Sequence, residues 1–552
     1  MRFEKGLLFV FLVSLIPLLN LLTPGLLVSH DAWLHGGRLA SFYQSLSEGI
    51  LIPRWAGNLN LGFGNPVLMF VYPLPSYLGS VLHFLGLSYT DSIKTLLAIS
   101  YTLSGIFMYL WIKEFLGKNA GIVAAVLYLY APYRFIDLYI RGALGEHMAF
   151  VFLPLIGYAL LRLHKLKNDS SLKSYYLLSI FSAISFMLLV LTHNAISLLF
   201  IPFIIFYSLY LFFESKSKLK LFITFSSLGY GAFLSFFFWF PAFMEGKYTL
   251  RDILTAGEYS KHFVDPISLL YGPWIFGGSG IFTVQIGIAH LILVLLSLVF
   301  FKKIFKKNDK QRIFYLGTLI IFIGSIFLMI KESNFIWEIL TTLPKIQFPW
   351  RFLAIVTFCT SIIGAIFISK FNKNKIMILI ILTAIIPTFS YWHAKAYDKS
   401  FTDSYFENEF KGTTDTGEVS PIWSIRFMEE MPKDDIEIID GEAQIKKVDR
   451  NSTFHEYVIN ANKRTRIREN TLYFPGWKVY DNENLVTEVE FQDPKNRGLI
   501  TFYVDEGLHS IIIRFEDTKL RKFANLVSLI SLSGLLVLPL ILLTQIKLKI
   551  KK

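Results

Sequence analysis

The sequence predicts a polytopic α-helical membrane protein with about twelve transmembrane helices and an extracytoplasmic β-sandwich before the last helix. Three observations predict this class. The 552 residues are 53% hydrophobic with a mean hydropathy of +0.50, more apolar than a soluble protein of this size needs to be. The net charge of +13 is spread over short clusters between apolar runs, which argues for membrane topology and against a nucleic-acid partner. Residues 393–519 have instead the composition of a soluble domain.

Twelve apolar stretches are long enough to cross a bilayer. The first of them follows MRFEK and is predicted to be a retained helix, because it is long for a signal-peptide core and lacks a small-x-small cleavage pattern. A further apolar segment, 67–87, follows Pro66, contains Pro73 and Pro75, and is predicted to be re-entrant or interfacial. The predicted spans are residues 6–28, 92–115, 119–134, 147–163, 174–192, 195–213, 221–243, 285–301, 313–330, 353–369, 376–392 and 523–545.

The positions of lysine and arginine set the predicted topology. If segment 67–87 does not cross, the short connectors on one side hold a large excess of Lys and Arg over Asp and Glu, and the loops on the other side hold equal numbers. The positive-inside rule then predicts a multi-pass protein of the plasma membrane with both termini in the cytoplasm. The loops predicted to lie outside are 29–66, 134–147, 244–284 and 331–352.

Three domains follow from this pattern. Residues 1–392 form the multi-helix membrane domain, residues 393–519 the extracytoplasmic β-sandwich, and residues 520–552 the last helix with a basic tail. Alternating apolar and polar residues predict β-strands at AQIKKV, FHEYVINA, LITFYV and HSIIIRF. The single cysteine, Cys359, excludes an intramolecular disulfide framework.

The loop 29–66, just after the first span, contains the first candidate for catalysis. Asp31 either caps the helix that follows or acts as a base that takes a proton from an acceptor hydroxyl. His30 and His35 would tune that carboxylate, contact substrate or help to hold a metal, although two histidines beside one acid are weak evidence for a metal site.

A second group lies at the start of a predicted span, where ionisable residues are costly and usually functional. Arg141 would bind phosphate oxygens in a bidentate manner, or would only reach the membrane interface and pair with Glu146. Glu146 and His147 enter the membrane from the outer face. Together Asp31 and Glu146 offer two carboxylates from different outer loops, as base catalysis or divalent-ion binding requires.

Each of the remaining candidates has a structural explanation as well as a functional one. His193 and Asn194 form a tight turn between two spans and either stabilise that turn or contact substrate. Arg351, flanked by aromatic residues in QFPWRF, either anchors the chain at the interface or binds a lipid phosphate. Arg54, beside a tryptophan, has the same two explanations.

Seven stretches, spread over almost the full chain, carry a resemblance to a known family. They are HDAWLHGGRLASFYQSLSEGILIPRW, NLGFGNPVLMFVYPLPSYLG, RGALGEHMAFVFLPL, LTHNAISLL, KIQFPWRFL, GEVSPIW and YFPGWKVY. Together they resemble the GT-C superfamily of polytopic glycosyltransferases, in particular YfhO-like and 6-pyruvoyl-tetrahydropterin synthase-related membrane proteins. The resemblance implies a GT-C-like membrane domain, although no soluble zinc–histidine fold for pterin synthesis occurs in the sequence.

The resemblance implies a catalytic acid in the first outer loop near a helix exit, and Asp31 fits that position. It also implies a polyprenyl-phosphate donor that enters laterally among the helices and meets arginines with its phosphate. Related families carry a paired acid, such as Asp-x-Asp, where this chain has His30 beside Asp31. A divalent metal therefore stays an open question, with Asp31 and Glu146 as its candidate ligands, and no other cofactor is predicted.

The resulting hypothesis is an integral membrane glycosyltransferase that moves a sugar from a polyprenyl-phosphate donor to an extracytoplasmic glycan, lipid or protein acceptor. Membrane lipid is its other predicted partner. Two alternatives belong to other classes of protein. One is a non-catalytic scaffold that binds cell-surface polymers through the β-domain, and the other is a transporter or flippase for lipid-linked sugars. The absence of duplicated halves and the scarcity of charges in mid-span argue against the transporter.

Overall fold

A computed structural model describes residues 4–167, 169–278, 281–305, 309–371, 373–414 and 416–550. Over these ranges the chain is a bundle of helices, followed by a region rich in β-strands and then by one long helix. This order confirms the predicted class, a polytopic helical membrane protein with a β-structured region before its last helix.

The helices vary widely in length. Shorter helical turns extend some of them, notably Ile16–Leu22 after α1, Ile136–Arg141 after α7 and Pro349–Phe352 before α19. The helices are α1 (Lys5–Leu15), α2 (Ala32–Ser47), α3 (Val67–Phe70), α4 (Leu74–Phe84), α5 (Tyr89–Leu116), α6 (Lys118–Leu129), α7 (Pro132–Phe135), α8 (Leu144–Lys165), α9 (Leu172–Thr192), α10 (Asn194–Ser215), α11 (Lys218–Leu234), α12 (Phe236–Glu245), α13 (Arg251–Leu254), α14 (Pro266–Leu270), α15 (Ile288–Val299), α16 (Phe301–Ile304), α17 (Gln311–Met329), α18 (Asn334–Ile339), α19 (Leu353–Phe371), α20 (Asn374–Ile385) and α21 (Lys519–Ile550).

Fewer helices than the predicted twelve are long and apolar enough to span a membrane. Among the described residues there are eight, or up to ten if each of two bent pairs counts as one span. The bent pairs lie at the predicted spans 119–134 and 221–243, with bends of 49° and 69°. The predicted span 285–301 is only the 12-residue helix α15, about 18 Å long and too short for a hydrocarbon core of about 30 Å. The predicted span 523–545 lies within α21.

Segment 67–87 is broken into two short helices, as its prolines require. α3 ends at Phe70 and α4 begins at Leu74, with Pro73 between them. Proline has no N–H for the helical ladder and disfavours helical geometry in the residue before it, so the chain turns here. Neither helix is long enough to cross, which agrees with the prediction that this segment is not a span.

The strands form three antiparallel groups. β1 pairs with β2, the order β4-β5-β10-β7-β8 makes a five-stranded sheet, and β3-β6-β9 makes a three-stranded sheet. The four strands predicted from alternation are confirmed as β4, β5, β9 and β10, while the sandwich itself stays a prediction. The strands are β1 (Leu26–Leu27), β2 (Tyr397–Asp398), β3 (Ile436–Asp440), β4 (Ala443–Arg450), β5 (Phe454–Ala461), β6 (Thr465–Leu472), β7 (Trp477–Asp481), β8 (Asn484–Leu485), β9 (Leu499–Val504) and β10 (Gly507–Phe515).

Residues 397–414, called here the connecting segment, lead from the helical bundle towards the β-region and pass along α2. The backbone of Val28 donates a hydrogen bond to the carbonyl of Ala396 (2.9 Å), and β1 pairs with β2 just beyond. Two glycines in the interior of α2, Gly36 and Gly37, face this segment. Each lowers helix stability by about 1 kcal/mol relative to alanine, so packing must compensate for them.

Candidate active site around Asp31

Two backbone segments that are distant in sequence are hydrogen-bonded beside the start of α2. The N–H groups of His30 and Asp31 donate to the carbonyls of Ile140 (3.1 Å) and Arg141 (2.8 Å). The next residue, Gly142, has φ of +60°, and a Cβ there would lie 2.4 Å from the Ser29 hydroxyl oxygen. Glycine is therefore required at this turn, and the turn places Arg141 next to Asp31.

The polar residues of α2 that face this turn follow helical spacing. Asp31, His35 and Arg38 stand at positions i, i+4 and i+7, which places them on one face of the helix. Asp31 is the N-cap residue of α2, but its side chain makes no capping hydrogen bond. The structure therefore does not show the capping contact that was one of the two predicted roles of Asp31.

The Asp31 carboxylate is half-buried and faces several cations. No residue of the described ranges donates a hydrogen bond to it or forms an ion pair with it within 4.0 Å. Burial raises its pKa above the ordinary value, and the nearby positive charges, chiefly Arg141 and Arg38, only partly oppose that rise. The result is a basic carboxylate with its oxygens free for an external partner.

Glu146, in contrast, is completely buried and fully engaged. It accepts a short hydrogen bond from the Tyr133 hydroxyl and another from Arg141 Nη1 (2.8 Å), and Arg351 Nε lies 3.6 Å away. Arg141 also pairs with the buried Asp137, and its guanidinium lies 4.5 Å from the centre of the Trp350 ring. A buried carboxylate is tolerated only when it is paired in this way.

A narrow crevice, with about 10 Å³ of space for water-sized groups, lies beside the face of α2 that carries Asp31. Its polar lining comes from His35, Arg38, Tyr72 and Ser76, and its walls are otherwise apolar. Arg38 Nε donates to the carbonyl of Thr413 (3.1 Å), and no carboxylate of the described residues lies within 4.0 Å of its guanidinium. A guanidinium that lacks an internal acid, next to a partly open cavity, is a suitable partner for an external anion.

The two histidines closest to the crevice are neutral. Burial, reinforced by neighbouring arginines, lowers the pKa values of His35 and His193 to about 3. His193 Nδ1 accepts the backbone N–H of Ile196 (3.2 Å) and so caps α10, and its ring lies 4.9 Å from that of Tyr72. Asn194 donates to the carbonyl of Phe70 (3.4 Å). His193 and Asn194 thus fix the turn, as one of their two predicted roles requires, and border the site through Tyr72.

Two predicted site residues, His30 and His147, point elsewhere. His30 is next to Asp31, but its ring nitrogen Nε2 contacts the carbonyl of Gly277. His147 is buried between helices, with its ring parallel to that of Tyr101 at 5.9 Å. Both histidines are therefore turned away from the crevice.

Arg54 belongs to a second group of charges, which we call the junction cluster: Arg54, Glu245, Asp517, Arg521 and Asn525. Arg54 pairs with Asp517 (2.8 Å) and donates to the side-chain oxygen of Asn525 (2.8 Å). Arg521 pairs with Glu245 (2.7 Å). The cluster joins the start of α21 to the loop after α2 and to α12, and none of its members is among the charges that act most strongly on the pKa of Asp31.

The fit of a divalent metal can be judged from the donor set. Within the described residues there is no group of three or more His, Cys, Asp or Glu side chains placed to hold a metal ion. The carboxylate oxygens of Glu146 already accept from Tyr133 and Arg141, with Arg351 close by. A cation shared by Asp31 and Glu146 does not fit this arrangement, because two guanidinium groups stand beside Glu146.

Sequence reasoning missed three residues of the site. Arg38 lies seven residues after Asp31, and the pattern DAWLHGGR would have placed it on the same helical face as Asp31 and His35. Asp137 precedes Arg141 by four residues, a spacing typical of ion pairs. Tyr133 has no comparable signal, since its hydroxyl reaches Glu146 only through the bend between α7 and α8.

Comparison with protein families gives one match over more than half of the chain. The model described as "6-pyruvoyl-tetrahydropterin synthase related domain; membrane protein" matches residues 68–395. These residues include Arg141, Glu146, His193 and Arg351, but not Asp31 or Arg38. A relative in Lactococcus lactis subsp. cremoris, known only as an uncharacterized protein, is 27% identical over 248 residues. The alignment spans 43% of this chain and 39% of that relative, well under two thirds of its length.

Solved structures give distant matches. ArnT from Cupriavidus metallidurans bound to undecaprenyl phosphate has 13% identity and a TM-score of 0.38, over 72% of this chain and 67% of that one. The arabinofuranosyltransferase AftD from Mycobacteria has 11% identity and a TM-score of 0.41, over 70% and 27%. The oligosaccharyltransferase AglB from Archaeoglobus fulgidus has 15% identity and a TM-score of 0.43, over 75% and 57%.

Proposed function

The chain belongs to the family of 6-pyruvoyl-tetrahydropterin synthase related membrane proteins, and within that family we propose that it is an integral membrane glycosyltransferase. It moves a sugar from a polyprenyl-phosphate donor to a glycan, lipid or protein acceptor on the extracytoplasmic side of the plasma membrane. The observation that carries the proposal is the Asp31 carboxylate, which is half-buried, faces arginines and accepts no hydrogen bond from the described residues.

Asp31 is the base of the proposed reaction. The acceptor oxygen bonds to the anomeric carbon of the sugar as the bond from that carbon to the phosphate oxygen breaks. The hydroxyl proton passes to Asp31, and the electron pair of the broken bond stays on the leaving phosphate. The raised pKa of Asp31 supports this role, because a base takes a proton more readily when its pKa approaches the working pH.

Arg38 and Arg351 are the proposed partners of the phosphate. Arg38 has no carboxylate within 4.0 Å among the described residues. Arg351 forms only a long ion pair, with its Nε 3.6 Å from a carboxylate oxygen of Glu146. Fixed guanidinium groups in a site with little water stabilise the charge that develops on a leaving phosphate. Arg141 stands nearer to Asp31, but it is already committed to Asp137 and Glu146.

Glu146 has a different part in this proposal from Asp31. Because its oxygens are occupied by Tyr133 and Arg141, it holds Arg141 in place and takes no proton from substrate. We therefore assign it as a positioning residue. The neutral His35 supplies a hydrogen-bonding group at the crevice without adding charge, and His193 supports the crevice from behind Tyr72.

Transfer of radiolabelled sugar tests the proposal. Purified protein in lipid vesicles would be given a panel of polyprenyl-phosphate sugars with a mixture of membrane glycans and lipids as acceptors. We expect wild-type protein to transfer label from at least one donor and the Asp31→Asn variant to lose the activity while it elutes and melts as a folded protein. Equal transfer by the folded variant would contradict the role of Asp31.

A panel in which neither protein transfers label would favour the scaffold alternative. Binding of glycans to the full chain then gives the deciding result. Glycan binding that is unaffected by Asp31→Asn, without transfer from any donor, would replace the enzyme proposal by the scaffold.

A further inference from the structure

Helix α2 has two functionally different faces. Asp31, His35 and Arg38 share one face, and Gly36 and Gly37 lie on the opposite face. We call this pair of glycines the glycine notch. Two consecutive glycines weaken a helix, so their presence in its interior indicates that another group needs the space that side chains would take.

Two phenylalanine rings of the connecting segment fill the glycine notch. A Cβ at Gly36 would lie 2.2 Å from the Phe406 ring, and a Cβ at Gly37 would lie 2.0 Å from the Phe410 ring. Both rings are almost fully buried, with exposures of 0% and 1%, so neither can move aside into solvent. The contact therefore leaves no room for a side chain on this face of α2.

The connecting segment is fixed at both ends next to the candidate site. At its start, β2 pairs with β1, only a few residues before Asp31. At its end, the carbonyl of Thr413 accepts the hydrogen bond from Arg38 (3.1 Å). In between, the Asp403 carboxylate accepts the backbone N–H of Tyr89 (2.8 Å), which ties the segment to α5. The two rings thus press on α2 from a segment that is itself anchored to the bundle.

We propose that Phe406 and Phe410 are positioning residues for the transfer reaction. Among the described residues, no charged group of the site stacks on either ring. The rings set how far the face with Asp31 and Arg38 advances towards Arg141 and Tyr72. A displacement of about 1 Å in a catalytic group can lower a rate by about 10²-fold. The inference rests on the proposed function, since it names residues that support that reaction.

A size exchange across the notch tests the inference in the full-length protein. Phe410→Ala removes the ring, and we expect kcat per folded molecule to fall by about 10-fold or more, with a smaller change in KM for the donor. Gly37→Ala forces the ring away and should lower kcat in the same direction. In the double variant Gly37→Ala/Phe410→Ala the added methyl group meets an alanine in place of the ring. The kcat of the double variant should therefore exceed that of Gly37→Ala.

A matched control separates positioning from general loss of stability. Phe502, in β9, is as fully buried as Phe406 but belongs to the three-stranded sheet. Phe502→Ala should lower the melting temperature by an amount similar to Phe410→Ala while kcat per folded molecule stays unchanged. Equal losses of kcat in both variants would overturn the inference, because burial alone would then explain the effect.

A second readout does not depend on any sugar donor. With the buried Cys359 replaced by serine, Asp31→Cys supplies a thiol whose rates of reaction with anionic and cationic methanethiosulfonates are compared. The nearby arginines should make the anionic reagent react several-fold faster than its cationic counterpart. Phe410→Ala should reduce this ratio, and Phe502→Ala should not.

The two readouts distinguish the inference from the function on which it rests. Suppose that the wild-type protein transfers no sugar but that Phe410→Ala changes the ratio of the two thiol reaction rates. The first result would contradict the glycosyltransferase, and the second would support the positioning of α2 by the rings. A ratio and a kcat that both stay unchanged in Phe410→Ala would overturn the positioning role even if the enzyme is active.

Discussion

The site around Asp31 and the junction cluster are built from the same kinds of residue but differ in how their charges are satisfied. In the junction cluster Arg54 pairs with Asp517 at 2.8 Å and Arg521 with Glu245 at 2.7 Å. Around Asp31, the buried acids Asp137 and Glu146 pair with Arg141. Asp31 itself has no such partner among the described residues.

This difference indicates which of the two clusters has a function beyond folding. Charges that are completely paired hold elements together, and removing one partner leaves the other buried without compensation. An unpaired carboxylate with a raised pKa in a partly buried site reduces stability instead. A protein retains such a carboxylate where its function needs it. We therefore propose a structural role for the junction cluster and a catalytic role for the Asp31 site.

The largest effect on stability is expected at Arg141. Arg141→Met would leave the buried Asp137 carboxylate without its ion-pair partner and Glu146 with only Arg351 at 3.6 Å, which we expect to lower the free energy of unfolding by about 3–5 kcal/mol. Thermal melting and elution of the detergent-solubilised protein would measure this. If Arg141→Met melts as wild type does, then the pairing around Glu146 is not structural and the comparison between the two clusters fails.

We expect a similar loss of stability from a substitution in the junction cluster, but no loss of sugar transfer. Arg521→Met would leave Glu245 unpaired and lower the free energy of unfolding by about 3–5 kcal/mol. The double variant Glu245→Gln/Arg521→Met should recover part of that loss, which a double-mutant cycle of melting curves would show. Sugar transfer per folded molecule should stay close to the wild-type rate, and a drop of 10-fold or more would assign the cluster to the active site.

Arg38 should affect transfer more than stability. Arg38→Gln removes a guanidinium without a carboxylate partner among the described residues, so only its hydrogen bond to the Thr413 carbonyl is lost, which should cost about 1 kcal/mol of stability. We expect kcat to fall by about 10²-fold. Steady-state kinetics with the active donor would measure it. Arg54→Gln is the matched control, since its kinetic effect should be small and its effect on stability should be larger.

The pH dependence of transfer gives the smallest but most specific effect. Because burial raises the pKa of Asp31, the acid limb of kcat/KM should lie at higher pH than the ordinary pKa of an aspartate. Arg38 lowers the pKa of Asp31, so in Arg38→Gln the limb should move to still higher pH. A limb that stays in place in this variant would show that another group titrates.

Local patterns in the sequence were enough to predict most of the fold. Lengths of apolar runs located the helices, prolines marked the break between α3 and α4, and alternation identified β4, β5, β9 and β10. The exact number of spans could not be predicted from apolar length alone, because an apolar run such as 221–243 does not show the 69° bend within it. Such bends depend on how neighbouring helices pack.

The candidate site was only partly predictable. Asp31 was identified from its place after a helix exit, but the sequence could not show that the backbone of residues 30–31 bonds to that of residues 140–141. That contact decides that Arg141 belongs to the site. It has no periodic signal, since it depends on the left-handed turn at Gly142 and on the packing of α2 against the bend after α7. Arg54 and Arg141 were indistinguishable as arginines near the membrane, and only the structure separates them.

The most direct test of the account compares Asp31→Asn with Asp517→Asn, one variant from each cluster, in both transfer rate and melting temperature. A raised pKa means that folding disfavours the ionised form of Asp31, so at neutral pH the neutral asparagine should leave the melting temperature equal or higher. Transfer by that variant should fall by about 10²–10⁴-fold.

Asp517→Asn should show the opposite pattern, with a lower melting temperature and near-normal transfer per folded molecule, because it weakens the ion pair with Arg54. A stable, fully active Asp31→Asn protein beside an inactive, equally stable Asp517→Asn protein would contradict the account.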